Sequence, residues 1–139
     1  MVTVRERTPA DDPALARLFE EMQAHYQRPC PPVEAVLRDL AALPPGVTIL
    51  VAEVDTVVGF AVFSPIYPGP GLASGLFLKE LFVSRRFRRS RIGTALMRAV
   101  ASARTLMSIA TACAFGRLAS REIAMHPLPV PRSRIVGCG

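Results

Sequence analysis

Several residue types are scarce in this chain of 139 residues: tryptophan is absent, lysine occurs once, at Lys79, and cysteine occurs three times. Cys30, Cys113 and Cys138 are odd in number and far apart, which argues against a disulfide framework and against a zinc site. This pattern predicts a reducing, cytoplasmic location and no bound metal. The sequence also lacks an uncharged apolar run long enough to span a bilayer and a basic-then-apolar leader, so a soluble protein without a membrane partner is expected.

Charge is distributed unevenly along the chain. The formal net charge is +6, but residues 1–80 carry six basic and ten acidic side chains, whereas residues 81–139 carry eleven arginines against Glu122 alone. Planar guanidinium groups suit phosphate, so the second half is expected to bind an anionic partner. Half of all residues are hydrophobic, which is enough for one domain with its own core.

Hydrophobic periodicity predicts an α/β domain in which one strand precedes two helices, three strands and a further helix. Capping aspartates, proline pairs and turn residues mark the boundaries. The predicted elements are a strand at Val2–Glu6, a helix from Asp11 or Asp12 towards His25, a helix at Val33–Leu40, strands at Val47–Glu53, Val57–Ser64 and Leu76–Val83, and a helix from Ile92. Asp55 is expected to form a tight turn, which makes the two strands beside it antiparallel.

The most informative stretch leads from the last of these strands through an arginine-rich turn into the last helix. The first turn of a helix has backbone N–H groups without an intrahelical partner, at the positive end of the peptide dipoles. Arg88, Arg89 and Arg91 add positive charge there, and Gly93 removes a side chain so that a phosphate can approach the main chain. A diphosphate-binding site is therefore predicted at residues 88–94, which we call the anion site.

These residues resemble the acetyl-CoA motif of the GNAT N-acetyltransferase family, which follows a strand ending in an apolar triplet. Arg88 and Gly93 are two of the matching positions, and Ile92, Ala95 and Leu96 also match. Arg89 and Arg91 depart from the motif, because they stand where the family usually has glycine. The segments HYQRP, VGFAVF, and PGPGL through LKELFV are similar to the subgroup that acetylates diamines and polyamines.

The resemblance implies an enzyme that transfers the acetyl group of acetyl-CoA to a primary amine of a small molecule. It also implies a mixed, mostly antiparallel sheet with helices on both faces. Main-chain groups of Leu81, Phe82 and Val83 would carry the pantetheine arm of the coenzyme. The diphosphate would lie on the anion site, formed by Arg88, Arg89, Ser90, Arg91, Ile92, Gly93 and Thr94.

Three side chains are candidates for the amine-binding side of the reaction. Glu80 interrupts an apolar strand beside the expected thioester, so it would accept the proton of the amine or hold its charge. The structural alternative for Glu80 is a salt bridge with a nearby arginine. The resemblance places His25 and Tyr26 at the acceptor pocket, although a histidine that caps a helix C-terminus explains His25 equally well.

The resemblance covers about residues 1–100, and residues 101–139 form a divergent tail. Apolar patterns at Met107–Ala114 and Leu118–Met125 predict helical segments, followed by a Pro- and Arg-rich end. One hypothesis is a truncated or shifted reading frame near residues 101–103, and the alternative is a divergent but functional tail. The family sheet would then be incomplete at its C-terminal side, and a homodimer that adds strands from its partner is a further conjecture.

Two other classes of function are alternatives to the acetyltransferase hypothesis. The segment RRFRR, with an aromatic residue between arginines, is also typical of nucleic-acid or polyanion binding. No recognition motif accompanies it, and its place in a strand-to-helix turn suits a small phosphate better. The third possibility is a non-catalytic remnant of the family.

Overall fold

The computed structural model describes residues 1–104 of the chain. This part contains β1 (Thr3–Glu6), α1 (Asp12–His25), α2 (Val33–Ala41), β2 (Thr48–Val54), β3 (Thr56–Ile66) and β4 (Gly75–Val83). A third helix, α3, begins at residue 92 and continues to residue 104. The predicted order of elements is confirmed, while the helical segments predicted at 107–114 and 118–125 and the Pro- and Arg-rich end lie outside the described residues.

The four described strands form one sheet in the order β1-β2-β3-β4, and every neighbouring pair is antiparallel. Asp55 links β2 to β3 with a φ of 59°, a left-handed conformation that aspartate tolerates better than most residues. Strand β3 continues two residues beyond its predicted end at Ser64 and includes Pro65. Proline is tolerated there because the pairing with β2 has already ended at Phe63, so β3 has one fewer neighbour.

Both faces of the sheet are covered by helices, and each face has its own hydrophobic core. On one face α1 and α2 pack on β2 and β3, with Leu15, Leu40, Val51 and Phe60 fully or almost fully buried. On the other face α3 contributes Ile92, Leu96 and Val100, which the helical period places on one side. The GNAT-like α/β architecture expected from the sequence is therefore observed.

Hydrogen-bonded ion pairs connect β1 to the turn before α1 and to β2. Arg5 donates two hydrogen bonds to Asp11, of 2.7 and 2.8 Å, and a third of 3.1 Å to Glu53. The Thr8 N–H donates to the same Asp11 carboxylate at 2.7 Å. Asp11 is only 7% exposed, and the bonds from Arg5 hold the pKa of its carboxyl group well below its usual range.

Candidate active site

A β-bulge in β4 determines which face of the sheet Glu80 occupies. Val62 of β3 pairs with Glu80, and the next residue, Phe63, pairs with Leu78, so Lys79 is the extra residue. An extra residue reverses the alternation of side chains along a strand. Before the bulge Leu78 packs with the α3 core, and after it Phe82 belongs to the α1 core. Glu80, two residues from Phe82, therefore lies on the α1 face.

Tyr26, directly after α1, contacts Glu80 across this face. The Tyr26 hydroxyl donates a hydrogen bond of 3.1 Å to Oε1 of Glu80. This bond and the negative charge of Glu80 raise the pKa of Tyr26 above its ordinary value. Within residues 1–104, no arginine or lysine lies within ion-pair distance of Glu80.

His25 and Arg88 both lie near the ring of Phe82. The His25 ring lies 5.4 Å from the Tyr26 ring and 6.4 Å from the Phe82 ring. The Arg88 guanidinium lies over Phe82, 5.5 Å from the ring centroid, and its Nε donates a 3.2 Å hydrogen bond to the carbonyl oxygen of Val83. The three candidates for amine binding thus lie near one another where the end of α1 meets β4, and Arg88 of the anion site shares Phe82 with them.

The two arginines that replace the expected glycines keep a glycine-like backbone. Arg89 has a φ of 67° and Arg91 a φ of 60°. Both lie in the left-handed region, which costs an L-residue roughly 1–2 kcal/mol and which glycine adopts freely. The turn therefore has the conformation that glycines would allow, although its sequence departs from the family motif, and both side chains are exposed.

The anion site borders a cavity of about 390 Å³ at the start of α3. Its lining comprises Val83, Phe87, Arg88, Arg89, Arg91, Ile92, Gly93 and Thr94. The first hydrogen bond of the helical pattern runs from the Ala95 N–H to the Arg91 carbonyl, so the preceding amides have no intrahelical acceptor. Exposed guanidinium groups and outward amides on one concave surface fit a diphosphate.

Individual residues contribute to this site in different ways. The Ile92 side chain is buried in the α3 core, so only its main chain is available to a ligand. A Cβ atom added at Gly93 would meet only Leu81 Cδ2, at 3.8 Å, an ordinary contact distance. Packing of the described residues therefore does not require glycine at position 93, which lies in the lining of the cavity. Ser90 is exposed within the turn.

Glu21 is a site residue that sequence reasoning missed. Its Oε1 accepts a 2.7 Å hydrogen bond from the Arg85 N–H and a 3.2 Å bond from the Ser84 hydroxyl. Ser84 is buried and its N–H donates to the Val58 carbonyl at 2.8 Å. Glu21 thus holds the beginning of the arginine turn against α1. A separation of more than sixty residues gives no local signal for this contact.

The antiparallel sheet of the described residues is covered on both faces and followed by a helix with exposed arginines at its start, which defines an α/β protein. The chain belongs to the acetyltransferase (GNAT) family, whose sequence model matches residues 13–119. The match reaches beyond residue 100, where the resemblance read from the sequence ends. No curated protein matches the sequence significantly.

Several solved structures share the fold. An integron cassette protein from the mobile metagenome of V. cholerae is 22% identical, with a TM-score of 0.65 over 96% of this chain and 93% of the other. A ribosomal-protein-alanine N-acetyltransferase from Brucella melitensis is 23% identical, with a TM-score of 0.62 over 73% and 71%. An aminoglycoside acetyltransferase from an uncultured soil sample, in complex with sisomicin, is 16% identical, with a TM-score of 0.60 over 94% and 97%.

Residues 1–104 lack the features of a membrane span and of a metal site. No helix in this part combines the length and the apolar character needed to cross a lipid bilayer. The same residues contain no group of three His, Cys, Asp or Glu side chains that could hold a metal ion.

Proposed function

We propose that the chain transfers the acetyl group of acetyl-CoA to the primary amine of a small molecule. Family membership supports acetyl transfer, and the observation that carries the proposal for this chain is the anion site at the start of α3. Its free amides and exposed arginines suit the coenzyme diphosphate, and Gly93 leaves room for it. Main-chain groups of Leu81, Phe82 and Val83, which follow the bulge, are the proposed contacts of the pantetheine arm.

Acetyl-CoA supplies an activated thioester, so the protein contributes positioning, a proton acceptor and electrostatic stabilisation. In our proposal Glu80 holds the ammonium form of the acceptor and accepts its proton. The neutral nitrogen then bonds to the acetyl carbon and the carbon–sulfur bond breaks. The proton that the nitrogen loses on becoming an amide passes to the departing sulfur, so the coenzyme leaves as its thiol. His25 ends α1 and Tyr26 follows it, in contact with Glu80. We propose that the acceptor lies beside these two side chains.

The sequence resemblance makes diamines and polyamines the first acceptors to test. The decisive first experiment is a thermal melt with acetyl-CoA, because a ligand that binds only the native state must raise the Tm. Acetyl-pantetheine, which lacks the diphosphate, serves as the matched control and is expected to give a much smaller shift. Equal shifts for the two compounds, or none for acetyl-CoA, would contradict the role of the anion site.

Polyanion binding is the second candidate function, because Arg85, Arg86, Arg89 and Arg91 are exposed and form no ion pair within residues 1–104. The salt dependence of the binding affinity distinguishes the two functions. Nucleic-acid affinity should fall by orders of magnitude between 50 and 200 mM salt. A coenzyme held also by main-chain amides should lose much less affinity and should compete stoichiometrically. Coenzyme binding without turnover would instead identify a non-catalytic member of the family.

A further inference from the structure

A second cavity, also of about 390 Å³, lies between α1 and α2 on the face opposite α3, and we call it the interhelix cavity. Most of its lining is apolar: Phe19, Met22, Pro31, Val36, Leu40, Leu43, Val47, Ile49 and Val62, with Cys30 beside them. The polar members do not change this character. Asp39 has a side chain that is 80% exposed, and the Gln23 amide donates to the Pro29 carbonyl at 3.1 Å.

Tyr26 and Glu80 do not line the interhelix cavity themselves, but each is next to a residue that does. Met22, which lines it, lies one helical turn before Tyr26, and the Tyr26 N–H donates to the Met22 carbonyl at 3.1 Å. Val62, which also lines it, is the cross-strand partner of Glu80 and lies on the same face of the sheet. On α1 and on β3, an apolar residue of the cavity lining is therefore a direct neighbour of the hydrogen-bonded pair of Tyr26 and Glu80.

We infer that the acceptor is a monoamine with an apolar body, such as an alkyl chain or an aromatic ring, and that this body lies in the interhelix cavity. Its ammonium group takes the place of the Tyr26 hydroxyl at the Glu80 carboxylate, so the charges are complementary. This inference rests on the proposed function and narrows its acceptor class. Asp39 lies at the exposed edge of the cavity, so in the apolar part a second ammonium group or several hydroxyl groups would lose their water without gaining partners, which disfavours polyamines and aminosugars.

A homologous series of primary alkylamines tests this inference. Burial of one methylene group is worth about a fourfold change in an equilibrium constant. We therefore expect kcat/KM to rise by about that factor per carbon from ethylamine to hexylamine, and phenethylamine to exceed putrescine and spermidine. A flat series, or a preference for the diamine and polyamine, would overturn the inference.

Substitution of Cys30 provides a matched pair of variants, because Cys30 lies in the loop between α1 and α2 and is half-buried. Cys30→Phe fills part of the cavity and should raise KM for hexylamine at least tenfold while leaving KM for acetyl-CoA unchanged. Cys30→Ser keeps the volume and should raise KM for hexylamine much less than Cys30→Phe does. Equal hexylamine KM values for the two folded variants would contradict binding of the acceptor in the interhelix cavity.

The outcomes distinguish this inference from the proposed function. If acetyl-CoA raises the Tm and only polar amines are acetylated, the proposed function stands and the apolar acceptor is wrong. If acetyl-CoA does not bind, the proposed function fails. Calorimetry of hexylamine and putrescine with the native chain tests the cavity independently of turnover: stronger binding of hexylamine supports the inference, and equal binding or no heat overturns it.

Discussion

The Tyr26 hydroxyl donates a hydrogen bond to the Glu80 carboxylate and thereby joins the end of α1 to the middle of β4. The contact exists because the bulge at Lys79 directs Glu80 to the α1 face. Tyr26 is nevertheless 49% exposed, so its ring is open to solvent and to a ligand. The pair therefore connects the strand of the proposed thioester site with the helix that borders the acceptor region.

The chain offers a direct optical test of this pair, because it contains two tyrosines and no tryptophan. In a Tyr67→Phe background the phenolate absorbance reports Tyr26 alone. We expect a midpoint above the ordinary value of about 10, because ionised Tyr26 would face a carboxylate and lose its donated bond. The added stability is complete below pH 10 and disappears as the pH rises through the raised pKa.

Glu80→Gln should lower the Tyr26 midpoint, since the neutral amide removes the charge. Tyr26→Phe, which leaves Tyr67 as the reporter, supplies the reference titration. If the Tyr26 midpoint were the same with Glu80 and with Gln at that position, the hydrogen bond would not exist in solution.

The extent to which the sequence predicts this molecule depends on the range of the interactions involved. Elements such as α1 and β4 were predictable because their hydrophobic patterns are local, and the arginine-rich turn before α3 because its residues are close in sequence. The position of the bulge at Lys79 was not predictable, because apolar residues on both sides of it fit either face. Tyr26 contacts β4 and Glu21 contacts the arginine turn. Both contacts join segments that are distant in sequence, so no local pattern predicts them.

The left-handed conformations of Arg89 and Arg91 predict that glycine stabilises the turn. Arg89→Gly and Arg91→Gly should each raise the free energy of unfolding by roughly 1 kcal/mol, because glycine removes the Cβ clash at positive φ. Ser90, which lies between them, does not have a positive φ. Ser90→Gly is therefore the control and should not stabilise the protein. Denaturant unfolding of the three variants is the measurement, and equal effects would contradict the geometry.

Gly93→Ala should have opposite effects on stability and on coenzyme binding. Alanine in a helix is favoured over glycine by about 1 kcal/mol, and the new methyl group meets only Leu81 at an ordinary distance. The Tm without ligand should therefore rise. Affinity for acetyl-CoA should fall at least tenfold, because the methyl group enters the space of the diphosphate. Ser102→Ala, further along α3, is the control and should leave the affinity unchanged; an unchanged affinity in Gly93→Ala would exclude close approach there.

The network around Asp11 predicts an acid-sensitive contribution to stability. Because its folded-state pKa is lowered, Asp11 stabilises the protein fully above its unfolded pKa of about 3.9, and the contribution is lost as the pH falls below that value. Asp11→Asn should lower the Tm at pH 7 by roughly 5 °C and flatten the decline of Tm between pH 4 and 2. The exposed Asp55→Asn serves as the control, and parallel curves for Asp11→Asn and the wild type would refute the prediction.

Glu21 is expected to act as a positioning residue for the anion site, because it accepts hydrogen bonds from both Ser84 and the Arg85 main chain. Glu21→Ala removes the oxygen that accepts both bonds and should raise the Kd for acetyl-CoA about tenfold, whereas Glu21→Gln keeps an acceptor oxygen and should raise it less. Glu20→Gln is the matched control, since Glu20 is exposed on the same helix. A purely structural role would lower the Tm of both Glu21 variants without changing the Kd measured well below the melting range. Calorimetry at 15 °C therefore separates positioning of the turn from general stabilisation of α1.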